Sequence, residues 1–547
     1  MGSLAEKVKA TLKNRKESLE QSALFKELPK GLSHNVQSVP KSSGLLTDYE
    51  FQLTEEYDIA ALLELIKTRQ LKSQDLILAY RKRATIAQQL LNCVTELIPD
   101  AMDWAKRCDD HLEKTGELLG PLHGIPVSLK EHISIAGRHT TAACVAWVDN
   151  IPSEDAQLVK VLRKLGAVPF ARTNEPQLLM QLESDNQIWG PARNPWNTEC
   201  TSGGSSGGEG ALMGFNGSVL GIGGDIGGSV RNPAACCGLW GLKPSLGRIS
   251  VLDVVLSPFG NEGFRGTLGP FTRSFRDILL FCEAYASAKP WLEDASMIPY
   301  PISISESSLR TAVSPSCPLR VGILSDDGVL SPLPPVRVIL ADVRRKLESS
   351  PLIKVADFKP FDHSRAWTIT AANFWEDKGV SVQALIAEGG EPFLPLSVWL
   401  LSESIAAHER LSTEVGGEAP WRTAREAYRR EYNDYWNAAN IDVVLAPVNP
   451  SVAPKLGTSR SWAYTSIWNL LDYPAIAFPA SRMLGGYGED LSKQAYEPRT
   501  EIEKLWFENY DPIKAQDMPT GLQVVARRLH DNDMLAAMEI VNKVLTK

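Results

Sequence analysis

Hydrophobic positions along the chain follow two spacings, one typical of helices and one typical of buried strands. Apolar residues recur every three or four positions and predict helices over residues 59–70, 73–91, 100–114, 155–165, 335–347, 423–438 and 531–545. Short apolar runs predict buried strands at residues 125–129, 167–171, 319–324, 353–358, 443–447, 475–479 and 522–526. Because both patterns alternate along the chain, we predict one α/β domain over residues 56–547, with a large β-sheet flanked by helices on both faces.

The first 55 residues precede this pattern and predict a helical N-terminal arm. Residues 3–25 can form an amphipathic helix. Residues 29–43, which are rich in Pro, Gly and Ser, are predicted to connect this helix to the rest of the chain. The first 30 residues are dense in Lys and Glu and lack the apolar core of a signal peptide. No run approaches the 18 or so apolar residues of a spanning helix, so we expect a cytoplasmic protein without a membrane span.

Composition narrows the class of protein. Of the 547 residues 44% are hydrophobic and 22% charged, which is typical of a folded globular chain and excludes a disordered or fibrous one. The net charge of −8, without a basic stripe, argues against nucleic acid as a partner. The eight cysteines form no C-x-x-C pair and the histidines form no H-E-x-x-H motif, so we expect neither a metal site nor a cofactor.

Two glycine-serine clusters, at residues 203–208 and 221–229, carry the candidate chemistry. Glycine is costly to order, so such clusters inside a globular chain need a reason, and the apolar residues between them argue against a flexible linker. Residues 203–207 match the G-x-S-x-G nucleophile elbow, but the polar stretch before them does not predict the strand that the elbow requires. Residues 221–227 resemble a loosened dinucleotide fingerprint, but no clean apolar helix follows.

A third interpretation rests on family resemblance. Gly-Gly-Ser-Ser-Gly-Gly at 203–208, Asp-Ile-Gly-Gly-Ser-Val-Arg at 225–231 and Gly-Leu-Lys-Pro at 241–244 resemble the amidase signature family. Lys130, which closes Gly-Ile-Pro-Val-Ser-Leu at 124–129, completes the pattern; Ser229 follows Ser205 by 24 residues and Lys130 by 99. The resemblance covers the chain from about residue 59 to its end. It implies a mixed sheet and an enzyme that hydrolyses a small-molecule amide, and it leaves a homodimer open.

The resemblance also implies a Ser–cis-Ser–Lys triad. Ser229 would attack the amide carbon, and Ser205, after a cis peptide bond from Gly204, would relay its proton to Lys130. A serine needs a base to become a good nucleophile, and the signature contains no histidine. An ordinary lysine has a pKa near 10.4, but burial behind the strand at 125–129 would favour the neutral amine that such a base requires.

Further residues have expected roles around the triad. Four backbone N–H groups could point at one position and form an oxyanion hole, those of Ile226, Gly227, Gly228 and Ser229. Arg231 is expected to pair with Asp225 as scaffold, and Ser206 to hydrogen-bond near Lys130. By resemblance, the Leu179 carbonyl and the Met180 side chain border the substrate.

Two departures from the family pattern and several alternatives stay open. Residue 224 is Gly where relatives often have Thr, and residue 131 is Glu where many have Asp, which leaves the tuning of Lys130 undecided. Loops between about residues 360 and 470 are expected to set the substrate, and four aromatic residues there could line a pocket, although core packing is favoured: Trp375, Trp399, Trp468 and Tyr473. An amidotransferase subunit, an acyl-transfer enzyme and a non-catalytic binding protein remain as alternatives.

Overall fold

One mixed β-sheet runs through the computed structural model, which describes residues 4–20, 28, 31–255, 263–488, 491–492 and 497–546. Its eleven strands among these residues are β1 Val94–Leu97, β2 Pro126–Lys130, β3 Val168–Thr173, β4 Leu220–Asp225, β5 Trp240–Lys243, β6 Thr267–Thr272, β7 Leu319–Ile323, β8 Ile353–Asp357, β9 Val443–Pro447, β10 Ala475–Phe478 and β11 Leu522–Val525. Their order across the sheet is β1-β3-β2-β4-β6-β5-β10-β11-β9-β7-β8. The predicted α/β fold with one large sheet is confirmed.

Two groups of parallel strands flank an antiparallel middle, and the edge strand β1 is antiparallel to β3. β2 is parallel to both β3 and β4, and β7 is parallel to both β8 and β9. β4 pairs with β6, and β10 pairs with β5 and β11, in antiparallel register. The parallel β2–β4 pair matters most, because parallel neighbours bring their carboxyl ends to the same edge of a sheet.

Helices connect and cover the strands. They are α1 Leu4–Glu20, α2 Val39–Ser42, α3 Asp48–Glu55, α4 Ile59–Lys67, α5 Ser73–Leu91, α6 Ala101–Thr115, α7 Gln157–Lys164, α8 Gly207–Gly214, α9 Arg231–Cys237, α10 Phe275–Ser287, α11 Leu309–Ala312, α12 Pro334–Glu348, α13 His363–Phe374, α14 Val380–Gly389, α15 Pro395–Glu414, α16 Pro420–Ala439, α17 Ala463–Leu470, α18 Ala480–Met483, α19 Glu501–Asn509, α20 Pro512–Ala515 and α21 Asp531–Leu545. None of the helices described is long and apolar enough to cross a bilayer.

Both faces of the sheet are buried, as predicted. Along β9, Val443 and Leu445 join the hydrophobic core beneath α5, α10 and α21, while Val444 and Ala446 join the core beneath α13, α16 and α17. Successive side chains of a strand point to opposite faces, so this alternation puts helices on both sides.

Three strands of the structure, β1, β5 and β6, were not predicted, and two other regions differ from the predicted elements. The predicted helix over residues 3–25 spans Leu4–Glu20 where it is described, and residues 21–25 lie outside the described residues. The region between 360 and 470, expected to supply loops, is mostly helical, with α13 to α17 packed around a buried aromatic cluster. Tryptophan and tyrosine side chains on these helices bury large areas against one another, and that packing stabilises the helices.

Candidate active site

The predicted triad residues lie at one edge of the sheet. Lys130 is the last residue of β2, and Ser229 lies in the turn between the neighbouring parallel strand β4 and helix α9. Ser205 lies two residues before α8, and its peptide bond from Gly204 is cis, as the resemblance implied. The Ser206 N–H donates to the Ser229 carbonyl at 3.2 Å and joins the two serine segments.

Lys130 and Ser205 form a buried hydrogen bond. Lys130 Nζ lies 2.5 Å from Ser205 Oγ, and the two residues are 1% and 2% exposed. Burial lowers the pKa of Lys130 to about 8, and the carboxyl groups of Glu175, Asp225 and Glu209 oppose that change. An amine with this pKa exchanges its proton near neutral pH, which suits a general base.

Ser229 Oγ makes no hydrogen bond within the described part of the chain, although Ser229 is only 1% exposed. The bridge expected from Ser205 to Ser229 is therefore not formed in this structure. Hydrogen bonds of catalytic groups are often long in unliganded enzymes and tighten when a substrate binds. The expected bond from Ser206 towards Lys130 is also not seen, because Ser206 Oγ donates to the Gly224 carbonyl at 3.3 Å.

The turn that carries Ser229 is organised by a buried carboxylate. Asp225 accepts the Gly228 N–H at 2.8 Å and the Val230 N–H at 3.0 Å, and forms a 3.0 Å ion pair with Arg231. Burial alone would raise the pKa of Asp225, but the Arg231 guanidinium holds that pKa well below its usual range. Arg231 and Asp225, which were expected to pair, therefore lie together in this turn, and the scaffold role stays a prediction.

The arrangement of this turn changes the expected oxyanion hole. The Gly228 N–H points at Asp225, so it is not available to a substrate oxygen as the sequence suggested. The N–H groups of Ile226, Gly227 and Ser229 have no hydrogen-bond acceptor among the described residues. These three donors lie next to the Ser229 hydroxyl in the chain and are the remaining candidates for binding an oxyanion.

The segment expected to border the substrate packs on the Ser205 peptide. Leu178 and Leu179 have φ angles of 62° and 61°, a left-handed conformation that bulky residues rarely adopt. A Cβ on Gly204 would lie 2.4 Å from the nitrogen of Glu183, so this segment contacts the loop that carries Ser205 directly. Met180 is buried in the aromatic cluster beneath α13 to α17.

Aromatic side chains close the other side of the turn. A Cβ on Gly227 would lie 2.6 Å from the Trp462 ring and 3.1 Å from Phe374. Sequence reasoning missed both residues, since nothing in their local sequence distinguishes them from core aromatics. Of the four aromatic residues that it proposed, three are buried in the cluster, Trp375, Trp468 and Tyr473, and Trp399 is half-buried and stacks on Trp367.

The two family departures have physical explanations. The imidazole of His132 occupies the space beside Gly224, where a Cβ would lie 3.2 Å from the ring. The Glu131 carboxylate accepts the N–H groups of Thr141 and Ala142 at 2.8 and 3.0 Å, so it holds a turn beside the site. Burial, and then the nearby charge of Glu131, raise the pKa of Glu175 well above its ordinary value. No cluster that could hold a metal ion occurs among the described residues.

The alternative motifs do not fit this geometry. Directly before the first glycine-serine cluster, residues 193–201 form only isolated bridges, Arg193–Thr201 and Cys200–Lys455, so the strand required by a nucleophile elbow is missing there. In the second cluster, Gly221 and Gly223 lie inside β4, and the short helix α9 begins only at Arg231. A dinucleotide fingerprint instead places its glycines in the turn after the strand.

Comparison with known proteins agrees with the resemblance. The family model described as Amidase matches residues 75–535. The chain is 41% identical over 536 residues, 97% of each chain, to a Schizosaccharomyces pombe protein named as an amidase. It is 34% identical over 521 residues, 93% of each chain, to an acetamidase of Emericella nidulans. Its structure resembles that of a fatty acid amide hydrolase with a TM-score of 0.88 and 33% identity, covering 99% of this chain and 95% of that one.

Proposed function

Because the chain belongs to the amidase signature family, whose members cleave amides, we propose that it hydrolyses a carboxylic amide through an acyl-enzyme on Ser229. The observation that carries this proposal is the buried 2.5 Å contact between Lys130 Nζ and Ser205 Oγ, beside the unpaired hydroxyl of Ser229. Lys130 is the base, Ser205 the relay and Ser229 the nucleophile.

Acylation begins with neutral Lys130. The amine accepts the Ser205 proton while Ser205 accepts the Ser229 proton, and Ser229 Oγ forms a bond to the amide carbon. The carbonyl oxygen becomes an oxyanion, which the N–H groups of Ile226, Gly227 and Ser229 stabilise. Each such donor is worth about 3 kcal/mol to the transition state.

Cleavage of an amide also needs an acid, because an amide anion is a very poor leaving group. The ammonium of Lys130 returns its proton through Ser205 to the departing nitrogen, and ammonia or an amine leaves. Water, deprotonated by the same relay, then attacks the acyl-enzyme and releases the carboxylic acid. One lysine therefore acts as base and acid in turn.

The aromatic wall supports an acyl group with apolar surface. Trp462 and Phe374 are buried against Gly227 in the turn that carries Ser229, here called the nucleophile turn. Met180 belongs to the same buried hydrophobic cluster. One relative named above is an acetamidase and a similar structure is a fatty acid amide hydrolase, so the amide panel should include acetamide and fatty acid amides. The purified chain alone should be active on amides, which separates this proposal from an amidotransferase subunit that needs a partner.

Labelling tests the role of Ser229. A fluorophosphonate should modify Ser229 in the purified enzyme, and Ser229→Ala should lose both labelling and turnover of an amide panel while keeping its fold. Peptide mapping by mass spectrometry identifies the modified residue. Labelling at Ser205 or Ser206, or amide turnover that survives in Ser229→Ala, would contradict the mechanism.

A further inference from the structure

The first turn of α17 contacts the nucleophile turn through Thr465. Thr465, which is 1% exposed, donates its hydroxyl to the Gly227 carbonyl at 2.7 Å. The hydroxyl also lies 3.3 Å from the Trp462 carbonyl, but it has one proton, and the shorter contact is with Gly227. The Thr465 carbonyl accepts from Arg231 at 3.0 Å.

The peptide unit between Gly227 and Gly228 is therefore held at both of its polar atoms. Its oxygen accepts from Thr465, and its N–H donates to Asp225 Oδ1 at 2.8 Å. A peptide unit is planar, so fixing both atoms fixes its rotation about the chain. The peptide units on either side share a Cα atom with it, so holding this unit restrains the backbone that carries the N–H groups of Gly227 and Ser229.

We propose that Thr465 is a positioning residue that aims the oxyanion-binding N–H groups of Gly227 and Ser229. The inference rests on the proposed function, since it concerns the oxyanion of that reaction. Without the hydroxyl, the Gly227 carbonyl would be a buried acceptor without this donor, and the peptide unit could rotate away. The N–H groups would then no longer be held in place before the oxyanion forms, and such preorganisation is the main source of electrostatic catalysis.

Close packing supports a specific fit between the two segments. A Cβ on Gly228 would lie 2.3 Å from Thr465 Oγ1 and 2.6 Å from Thr465 Cβ, and Gly228 has a φ of 132°. Only glycine allows this approach and this backbone angle. The absence of a side chain at Gly228 thus lets the threonine hydroxyl lie against the peptide unit.

Two substitutions separate the hydroxyl from the shape of the residue. Thr465→Val keeps the volume and removes the donor, whereas Thr465→Ser keeps the donor and removes a methyl group. The probes are p-nitrobutyranilide as amide and a fluorophosphonate as covalent inhibitor. For Thr465→Val we expect kcat to fall about 10- to 100-fold with little change in KM, less than the 10²–10³-fold loss of a direct donor. Thr465→Ser should stay within about 3-fold of wild type.

The rate of phosphonylation by the covalent probe is a second measurement, and it would not change if Thr465 had only a structural role. Phosphonylation of Ser229 also develops negative charge on an oxygen in the oxyanion hole, so its maximal rate should fall with kcat in Thr465→Val and recover in Thr465→Ser. The inference is overturned if Thr465→Val keeps wild-type kcat, if both variants lose activity equally, or if phosphonylation is unaffected. If any of these results is obtained while Ser229→Ala is inactive, only the role of Thr465 is contradicted, and the serine mechanism stands. Anilide turnover that survives in Ser229→Ala would overturn the serine mechanism and, with it, this role.

Discussion

Replacing Lys130 by Met should abolish turnover and, at pH 7, make the protein more stable. Lys130 is buried at the end of β2, and burial lowers its pKa from 10.5 to about 8. At neutral pH the unfolded chain holds this lysine fully protonated, and folding must bury a group whose charged form is disfavoured. Methionine has a similar length and no charge, so it removes that cost together with the base.

The magnitude follows from the two pKa values. The difference between 10.5 and about 8 corresponds to about 3 kcal/mol of destabilisation below pH 8, at about 1.36 kcal/mol for each pH unit. The unfolded chain binds the proton more tightly, so this penalty is complete below pH 8 and fades as the pH rises towards 10.5. Losing the Ser205 hydrogen bond costs about 1 kcal/mol. Lys130→Met should therefore gain about 2 kcal/mol at pH 7 and close to nothing at pH 10.

Thermal unfolding at pH 7 and pH 10 measures the effect. With an unfolding entropy of about 2.1 cal/mol/K per residue, a chain of this length changes its Tm by roughly 1 °C for each kcal/mol. Lys243→Met is the matched control, since Lys243 is also buried with a pKa lowered to about 8, but lies outside the triad. In both variants the gain in Tm over wild type should be larger at pH 7 than at pH 10. A Lys130→Met protein that is less stable than wild type at pH 7, or that retains turnover, would refute the reasoning.

Two further predictions concern the relay. Ser205→Ala should lower amide turnover 10²–10⁴-fold, and should lower turnover of a matched ester less, because the ester's leaving group needs less protonation. Ser206→Ala, which loses only its bond to Gly224, should lower turnover far less. Steady-state kinetics that showed the larger loss in Ser206→Ala would contradict the relay role of Ser205. The kcat/KM of wild type should fall as the pH drops through about 8, where Lys130 becomes protonated, and a pH profile that is flat between 6 and 9 would exclude Lys130 as the base.

Much of the fold could be predicted because its signals are local. The closing helix over residues 531–545 and the strand over 443–447 have the predicted bounds, since a long amphipathic period and a bounded apolar run are hard to mistake. β6 and β5 were not predicted. β6 reads Thr-Leu-Gly-Pro-Phe-Thr, and glycine and proline disfavour strands in isolation, so only its pairing with β4 and β5 identifies it.

The candidate site shows the same division. The positions of Lys130, Ser205 and Ser229 could be predicted from motifs, because each motif places backbone and side chain together. The direction of a single N–H group could not be predicted. At Gly228, the N–H group donates to the carboxylate of Asp225, three residues earlier. Trp462 and Thr465 also escaped prediction, because they reach the site from a helix more than 230 residues away along the chain.

The close approach of Trp462 to Gly227 has a consequence for changing what the enzyme accepts. On the glycine side of the nucleophile turn, a methyl group on Gly227 or Gly228 would overlap neighbouring side chains, so neither position has room for a larger residue. On the aromatic side, Trp462 and Phe374 are large, and their rings meet at 5.1 Å in an edge-to-face contact. Smaller residues there would open volume without touching the backbone around Ser229. Mutant libraries aimed at bulkier acyl groups should therefore vary the aromatic wall and leave the glycines untouched.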